Sequence, residues 1–223
     1  GVISGIAAHS NLGAVFGLLN GREYWHGPYM PIYFIVSAMM SGCATVIFFH
    51  WLGYKINGWK MSEKLEEALR SVAKLGALLY LVIMFFTTWK FIAGMSGKPP
   101  GEYEAFMALL NGPFANNFWY GEVALGLVIP FVIIMAVRAR NLTAMAIGSA
   151  ASIVGIFVMR YDLVIIGQII PGFHELNIVD LPHILPYAPT LHEWMVTISG
   201  FAFCGTLFMM GERLFRGHLS EDH

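Results

Sequence analysis

The chain has 223 residues, 57% of them hydrophobic and 12% charged, with a formal net charge of −1. That much apolar surface cannot be hidden in one soluble core, so the composition points to an all-α, polytopic transmembrane helical bundle. The near-neutral balance excludes a broad basic face for nucleic acid, and no GxxxxGK[ST] loop is present to cradle a nucleotide.

About six apolar stretches of bilayer length follow one another: 2–19, 28–52, 68–94, 115–137, 142–160 (or on to 170) and 190–212. Gly1 already lies inside an apolar run, with no initiator Met and no basic leader. The expectation is therefore a single transmembrane domain over 1–223 that lacks upstream helices. In the first span Gly13 and Gly17 form a GxxxG, and Ser37 and Ser41 form a small-xxx-small pair in the second; both permit close helix approach. Acidic residues in the segment GWKMSEKLEE (58–67) suit the first turn of the third span, where the helix dipole favours negative charge. Residues 102–111 read as a short interfacial helix. Pro130 falls inside the fourth span and is expected to kink it, because proline removes a backbone donor and clashes one turn back. Asn141 stands as N-cap of the fifth span, followed by the small patch Gly148, Ser149, Ala151 and Ser152. Thr190 and Glu193 form a capping box at the sixth. The connection 161–189 is the longest, rich in Pro, His and acids, and loops of this length usually carry function or lack order.

Positive charge sets the orientation. Lys55, Lys60 and Lys64, then Arg138 and Arg140, then Arg213 and Arg216 follow alternate spans, which places those ends and the C-terminus on the cytoplasmic side of an inner membrane. Loops 20–27, 95–114 and 161–189 then share the outer face. Trp25, Trp89, Tyr103, Trp119, Tyr120, Tyr187 and Trp194 would form an aromatic belt there.

A few ionisable residues survive inside apolar runs, among them His9, Glu122, Arg160 and Asp162. Each is costly in lipid and must face other helices, water or a ligand. At a rise of about 1.5 Å per residue, Glu122 lies about 10 Å from the outer end of its span, and Asn11 and His9 about 12–16 Å from theirs. By the same rise Arg160 lies about 28 Å from the cytoplasmic start of its helix, so the set falls in the outer half of the membrane. Arg160 and Asp162, two apart, cannot face each other on a helix, so each needs a partner from another element, and Glu122 is the expected partner of Arg160. Such a set reads either as a buried ion pair that fixes register or as proton-handling groups beside a cavity. Glu193 is explained by its capping box, whereas His192 has no structural duty. His174, His183 and His192 with Glu175 and Asp180 match no compact ligand spacing, so no metal site is assigned. Cys43 and Cys204 lie inside apolar runs and offer neither a disulfide framework nor a cluster motif; any iron–sulfur centre belongs to a partner.

Four ordered segments carry a resemblance: REYWHGPYMPIYFIVSAMMSG (22–42), FWYGEVALGLVIP (118–130), MRYDLVIIGQIIPG (159–172) and LPYAPTLHEWMVTISGFAF (185–203). Together they resemble the NrfD family, the membrane subunit of polysulfide reductase and its relatives. Within it, RYDLVIIGQ and YAPTLHEW are most similar to the membrane anchor of sulfite-reductase-associated respiratory complexes of the DsrP or HmeB type. The resemblance implies the later part of a longer subunit of about ten helices. It implies menaquinol or menaquinone bound near the outer face as a substrate, with no redox cofactor held by this chain. Electrons would pass to or from a ferredoxin-like iron–sulfur subunit docked there, with cytochrome subunits as further partners. Glu122, Arg160 and Asp162 are then the expected proton-handling residues, and His9, Asn11, His26, Tyr187 and His192 the expected quinone-site residues. Quinol oxidation releases protons with its electrons, which His, Glu, Asp and Tyr can accept, and an amphiphilic quinone needs apolar walls for its tail. Two rivals stand beside this. A haem b anchor would need His pairs on facing helices, and the pair weighed for it, His9 and His50, differs in depth by about 7 Å at the helical rise per residue. An ion- or proton-coupled transporter would also suit the buried charges and Pro130, though no internal repeat is evident.

Overall fold

In the computed structural model the described residues are 2–172, 182 and 184–215, with the backbone alone for 212 and 215. Residues His174, Glu175, Asp180, His183 and Arg216, singled out in the sequence, lie outside them. The elements are α1 (Val2–Gly17), α2 (Tyr29–Asn57), α3 (Glu63–Met95), α4 (Glu102–Leu110), a π-helix, π1 (Asn117–Val128), continuing as α5 (Ile129–Ala136), α6 (Leu142–Ile169) and α7 (Leu191–Phe215). Five of these stretches are long and apolar enough to cross a membrane: α2, α3, π1 with α5, α6 and α7; α1 is apolar but shorter.

Local chemistry explains the ends. Ser62 caps α3 by accepting the Leu65 N–H at 3.3 Å, with Glu63 and Glu66 in the first turn. Gly58 closes α2 in the left-handed region at φ +67° and returns its N–H to the Tyr54 carbonyl. Asn141 caps α6 through the Ala144 N–H at 3.1 Å. Helices therefore extend past the apolar runs: α2 goes on to Asn57 and α3 begins at Glu63, because caps rather than hydropathy set their limits. The connection expected over 161–189 also begins later, since 161–169 are the last turns of α6. The Leu185 N–H bonds back to the Ile169 carbonyl at 2.9 Å.

Within residues 1–185, α2 packs against α1, α3 and α6, and π1 and α5 pack against α6. The core between them holds Met40, Ala44 and Ile47 of α2, Leu69, Ala73 and Ile83 of α3, and Met145 and Met159 of α6. The small residues sit at the crossings as expected. A Cβ on Gly13 would lie 2.6 Å from the Pro31 Cα, and one on Gly17 would lie 2.7 Å from the Gly27 carbonyl oxygen. Gly126 and Gly155 bring π1 and α6 into backbone contact, and Gly148 lies against Pro130 and Ile133.

The fourth span departs from the expected kinked α-helix. Residues 117–128 form a π-helix, and Pro130 occupies the first turn of α5, where the change to α-helical bonding occurs. A proline is tolerated there because Ser152 of α6 donates to the Gly126 carbonyl at 3.3 Å, the acceptor one turn before Pro130. The aromatic belt also loses a member: Trp25 is 5% exposed, donates its indole N–H to the Leu163 carbonyl at 2.7 Å and packs on Gly167. Trp89, Trp119 and Tyr120 remain exposed.

The second unit, residues 186–223, contains α7. Its start is the expected capping box: Glu193 accepts the Thr190 N–H at 2.6 Å, and the Glu193 N–H donates to Thr190 Oγ1 at 3.4 Å.

Candidate functional site

The C-terminal ends of α3 and α6, the start of π1, helix α4 and the loop 18–28 meet at one end of the first unit. Arg22 of the loop donates to the Gln168 and Ile170 carbonyls, both at 3.0 Å, and so fastens it to the end of α6. Tyr24 stacks edge-on against Phe106 of α4 at 5.7 Å.

Just inside this end lies a cavity of about 20 Å³, lined by Tyr24, Tyr29, Tyr33, Thr87, Lys90, Glu122 and apolar neighbours including Phe118 and Met159. Glu122 is 7% exposed. Lys90 places its ammonium 3.7 Å from the Tyr24 ring centroid, 5.6 Å from that of Tyr29 and 5.7 Å from that of Phe106, a cation–π cage. The Tyr29 hydroxyl and Thr87 Oγ1 are buried with no hydrogen-bond partner among the described residues. Burial pushes the Tyr24 hydroxyl well above its ordinary range, so it stays a neutral donor. At the rim, burial raises the Glu102 carboxyl, and the nearby Lys90 charge opposes that shift.

Asp162 and Arg160 each take a partner from another element, and neither partner is Glu122. Asp162, 1% exposed, accepts a hydrogen bond from Asn117 at 3.2 Å, and its second carboxylate oxygen is buried without a partner. Arg160 donates to Ser37 at 2.6 Å and lays its guanidinium 4.1 Å from the Phe34 ring centroid, with Nη1 buried and unpartnered. The expected Glu122–Arg160 pair is thus replaced. Helix α6 turns Arg160 toward α2, while Glu122 faces the α3 side with Lys90; among the described residues the recorded ion pair is Arg70–Glu66 on the surface.

The five residues expected at a quinone site are divided between the two units. His9 and Asn11 lie on the exposed face of α1, where the His9 Nδ1 meets the Gly5 carbonyl at 2.9 Å. His26 is exposed in the loop, and its backbone N–H bonds to Arg22. Tyr187 donates to Glu193 at 3.2 Å and His192 is exposed, both in the second unit. His9, Asn11 and His26, the three in the first unit, do not line the polar cavity. Lys90 is a site residue absent from the sequence expectations. A cation inside LYLVIMFFTTWKFIAGM is as costly in lipid as His9, Glu122, Arg160 or Asp162, and that cost is its signal in the sequence.

An apolar groove of about 330 Å³ runs along the outside of α3 and π1, lined by Met84, Thr88, Ile92, Trp119 and others. It shares Thr87, Phe91 and Phe118 with the polar cavity, so one wall separates apolar surface from buried polar groups.

The family model for "Polysulphide reductase, NrfD" matches residues 1–172. The chain is 26% identical over 218 residues to a selenate reductase subunit of Mesobacillus selenatarsenatis, covering 96% of this chain and 49% of that protein. It is 26% identical over 223 residues to the "Hdr-like menaquinol oxidoreductase integral membrane subunit" of Archaeoglobus fulgidus, covering 94% and 54%. "Protein NrfD" of Escherichia coli is 24% identical over 159 residues, covering 70% and 48%. The chain thus spans about half the length of the curated relatives it matches. With apolar helices long enough to cross a membrane and a family match over most of its length, the chain belongs to the NrfD family of multi-pass membrane proteins.

Proposed function

We propose that this chain is the quinone-facing membrane part of an oxidoreductase complex, exchanging electrons between menaquinol and an iron–sulfur partner that docks at the α4 end. Two family relatives bear the names of a menaquinol oxidoreductase and a selenate reductase, which supports the oxidoreductase setting. The observation that carries the reading is the shared wall. Thr87, Phe91 and Phe118 separate an apolar groove, suited to an isoprenoid tail, from a cavity holding Glu122 and two unsatisfied hydroxyls. An amphiphile of the quinone class needs that combination of apolar walls and a few placed polar groups. The cavity itself has room for one water rather than a ring, so the head group meets the wall and Glu122 handles its proton through that water. Asp162, bonded to Asn117 of the π-helix that carries Glu122, is the second acid in the protonic set, and Arg160 holds the α2 side.

The test uses the purified complex with its iron–sulfur subunit. Glu122→Gln is expected to retain assembly and slow quinol-linked turnover by about tenfold or more, since general acid–base groups contribute at least that much. Thr87→Val is expected to weaken a menaquinone analogue in titration, because a buried hydrogen-bond partner is worth about 1–3 kcal/mol. Unchanged affinity in Thr87→Val together with a loss in His9→Leu or Asn11→Leu would move the head group to the exposed face of α1. A complex that never contains an iron–sulfur subunit would end the electron-transfer reading.

A further inference from the structure

We propose that Lys90 is a shared counter-charge for two acids, Glu122 through a water in the buried cavity and Glu102 at the rim, and that this ladder is the route by which a proton leaves the cavity. The proton-exit half rests on the quinone reading above, whereas the charge-sharing half does not.

Lys90 and Gly94 lie one turn apart and so on one face of α3. That face meets α4. A Cβ on Gly94 would lie 2.6 Å from Glu102 Oε1 and would also strike the Phe106 ring. Phe106 is one turn beyond Glu102 and lies 5.7 Å from the Lys90 ammonium. The Glu102 carboxylate therefore sits over the last turn of α3 on the same side as Lys90. On its inner side, Lys90 lines the cavity opposite Glu122. Neither acid is within direct ion-pair distance of Lys90, so the proposed sharing runs through water, inside the cavity for Glu122 and at the rim for Glu102. A cavity of about 20 Å³ holds one water, and the two orphaned hydroxyls of Tyr29 and Thr87 supply the polar partners that a buried water requires.

The arrangement answers a cost. A lysine inside a membrane helix needs compensation, and the ring faces of Tyr24, Tyr29 and Phe106 provide only part of it. With two acids in reach, Lys90 stays balanced by Glu102 while Glu122 is neutral. In quinol oxidation, two electrons pass to the iron–sulfur partner and two protons are released. The two protons pass one after the other: each reaches the Glu122 carboxylate, making the neutral acid, then leaves through the cavity water and past Lys90 to the Glu102 carboxylate and on to bulk water at the rim, before the next follows. Glu122 returns to its charged form and Lys90 keeps its proton throughout.

Two measurements on the whole complex test this. The first is thermal melting with Glu102→Gln, Glu122→Gln, the double variant and the double variant carrying Lys90→Met. The double variant leaves Lys90 without either acid and is expected to melt lower than the two single effects together predict, and Lys90→Met is expected to restore it. Additive single effects with no rescue would overturn the shared counter-charge. The second is quinol-linked turnover in light and heavy water. Glu102→Gln is expected to slow turnover by about tenfold and raise the solvent isotope effect while leaving menaquinone-analogue affinity unmoved, as for a proton-transfer group. Wild-type turnover in Glu102→Gln would overturn the exit route. Absence of quinol turnover in the wild-type complex would instead defeat the quinone reading, and the exit route with it, leaving the melting result to stand by itself.

Discussion

Single residues decide how closely this bundle can pack. Trp25 reaches from the loop to the Leu163 carbonyl, and Gly167, one helical turn further on α6, leaves the space its indole fills. A methyl group at Gly167 would collide with the indole ring itself, so either Trp25 must leave its hydrogen bond or α6 must shift. Gly167→Ala is expected to destabilise by about 1–3 kcal/mol, the usual cost of overpacking. Thermal melting of the purified complex checks this, and an unshifted transition would mean that the loop yields freely. Arg160 shows the same dependence on a neighbour. Its partner Ser37 is fully buried, and the guanidinium rests on Phe34 one turn away.

At the scale of elements, the π-helix is the unusual feature. Regular π-helices are rare and mostly single-turn bulges at functional sites, yet π1 runs for 12 residues beside the polar cavity. Pro130 has no N–H to give to the carbonyl four residues earlier, that of Gly126. Ser152 of α6 donates to that oxygen at 3.3 Å across the glycine crossing. Ser152→Ala is expected to cost about 1–3 kcal/mol by leaving a buried carbonyl unsatisfied. The readout is the melting temperature, with Ser152→Thr as the variant that keeps the hydroxyl; equal losses in both would assign the effect to packing.

For the whole molecule, the physical question is which end faces which compartment. Lys55, Lys60 and Lys64 lie near one end of the first unit and Arg138 and Arg140 near the same end, while the loop 18–28 and α4 lie at the other. On the positive-inside bias we propose that the lysine end faces the cytoplasm and the cavity end the outside. Single cysteines at Lys60 and Lys98 are expected to react with a membrane-impermeant thiol reagent from opposite sides of sealed vesicles. The reverse labelling would put the α4 end in the cytoplasm.

What the sequence determined by itself was local or collective. Hydropathy marked the bilayer-length helices, Asn141 and the Thr190–Glu193 pair declared their caps, and Gly13, Gly17, Gly148 and Ser152 marked where helices touch, because each depends on neighbours along the chain or on total apolar area. The four ordered segments carried the family. Side-chain partners were another matter. The pairing of Arg160 with Ser37 and of Asp162 with Asn117, and the sharing of one cavity by Lys90 and Glu122, depend on how far each helix is rotated about its axis, and hydropathy along one helix does not fix its rotation against another. Nor did the run 118–130 distinguish π- from α-helical bonding, since a stretch that is apolar on nearly every side carries no period to read. Only the packed structure turned Trp25 inward, His9 and Asn11 outward, and set Lys90 between two acids, because those outcomes are settled by contacts between segments far apart in the chain.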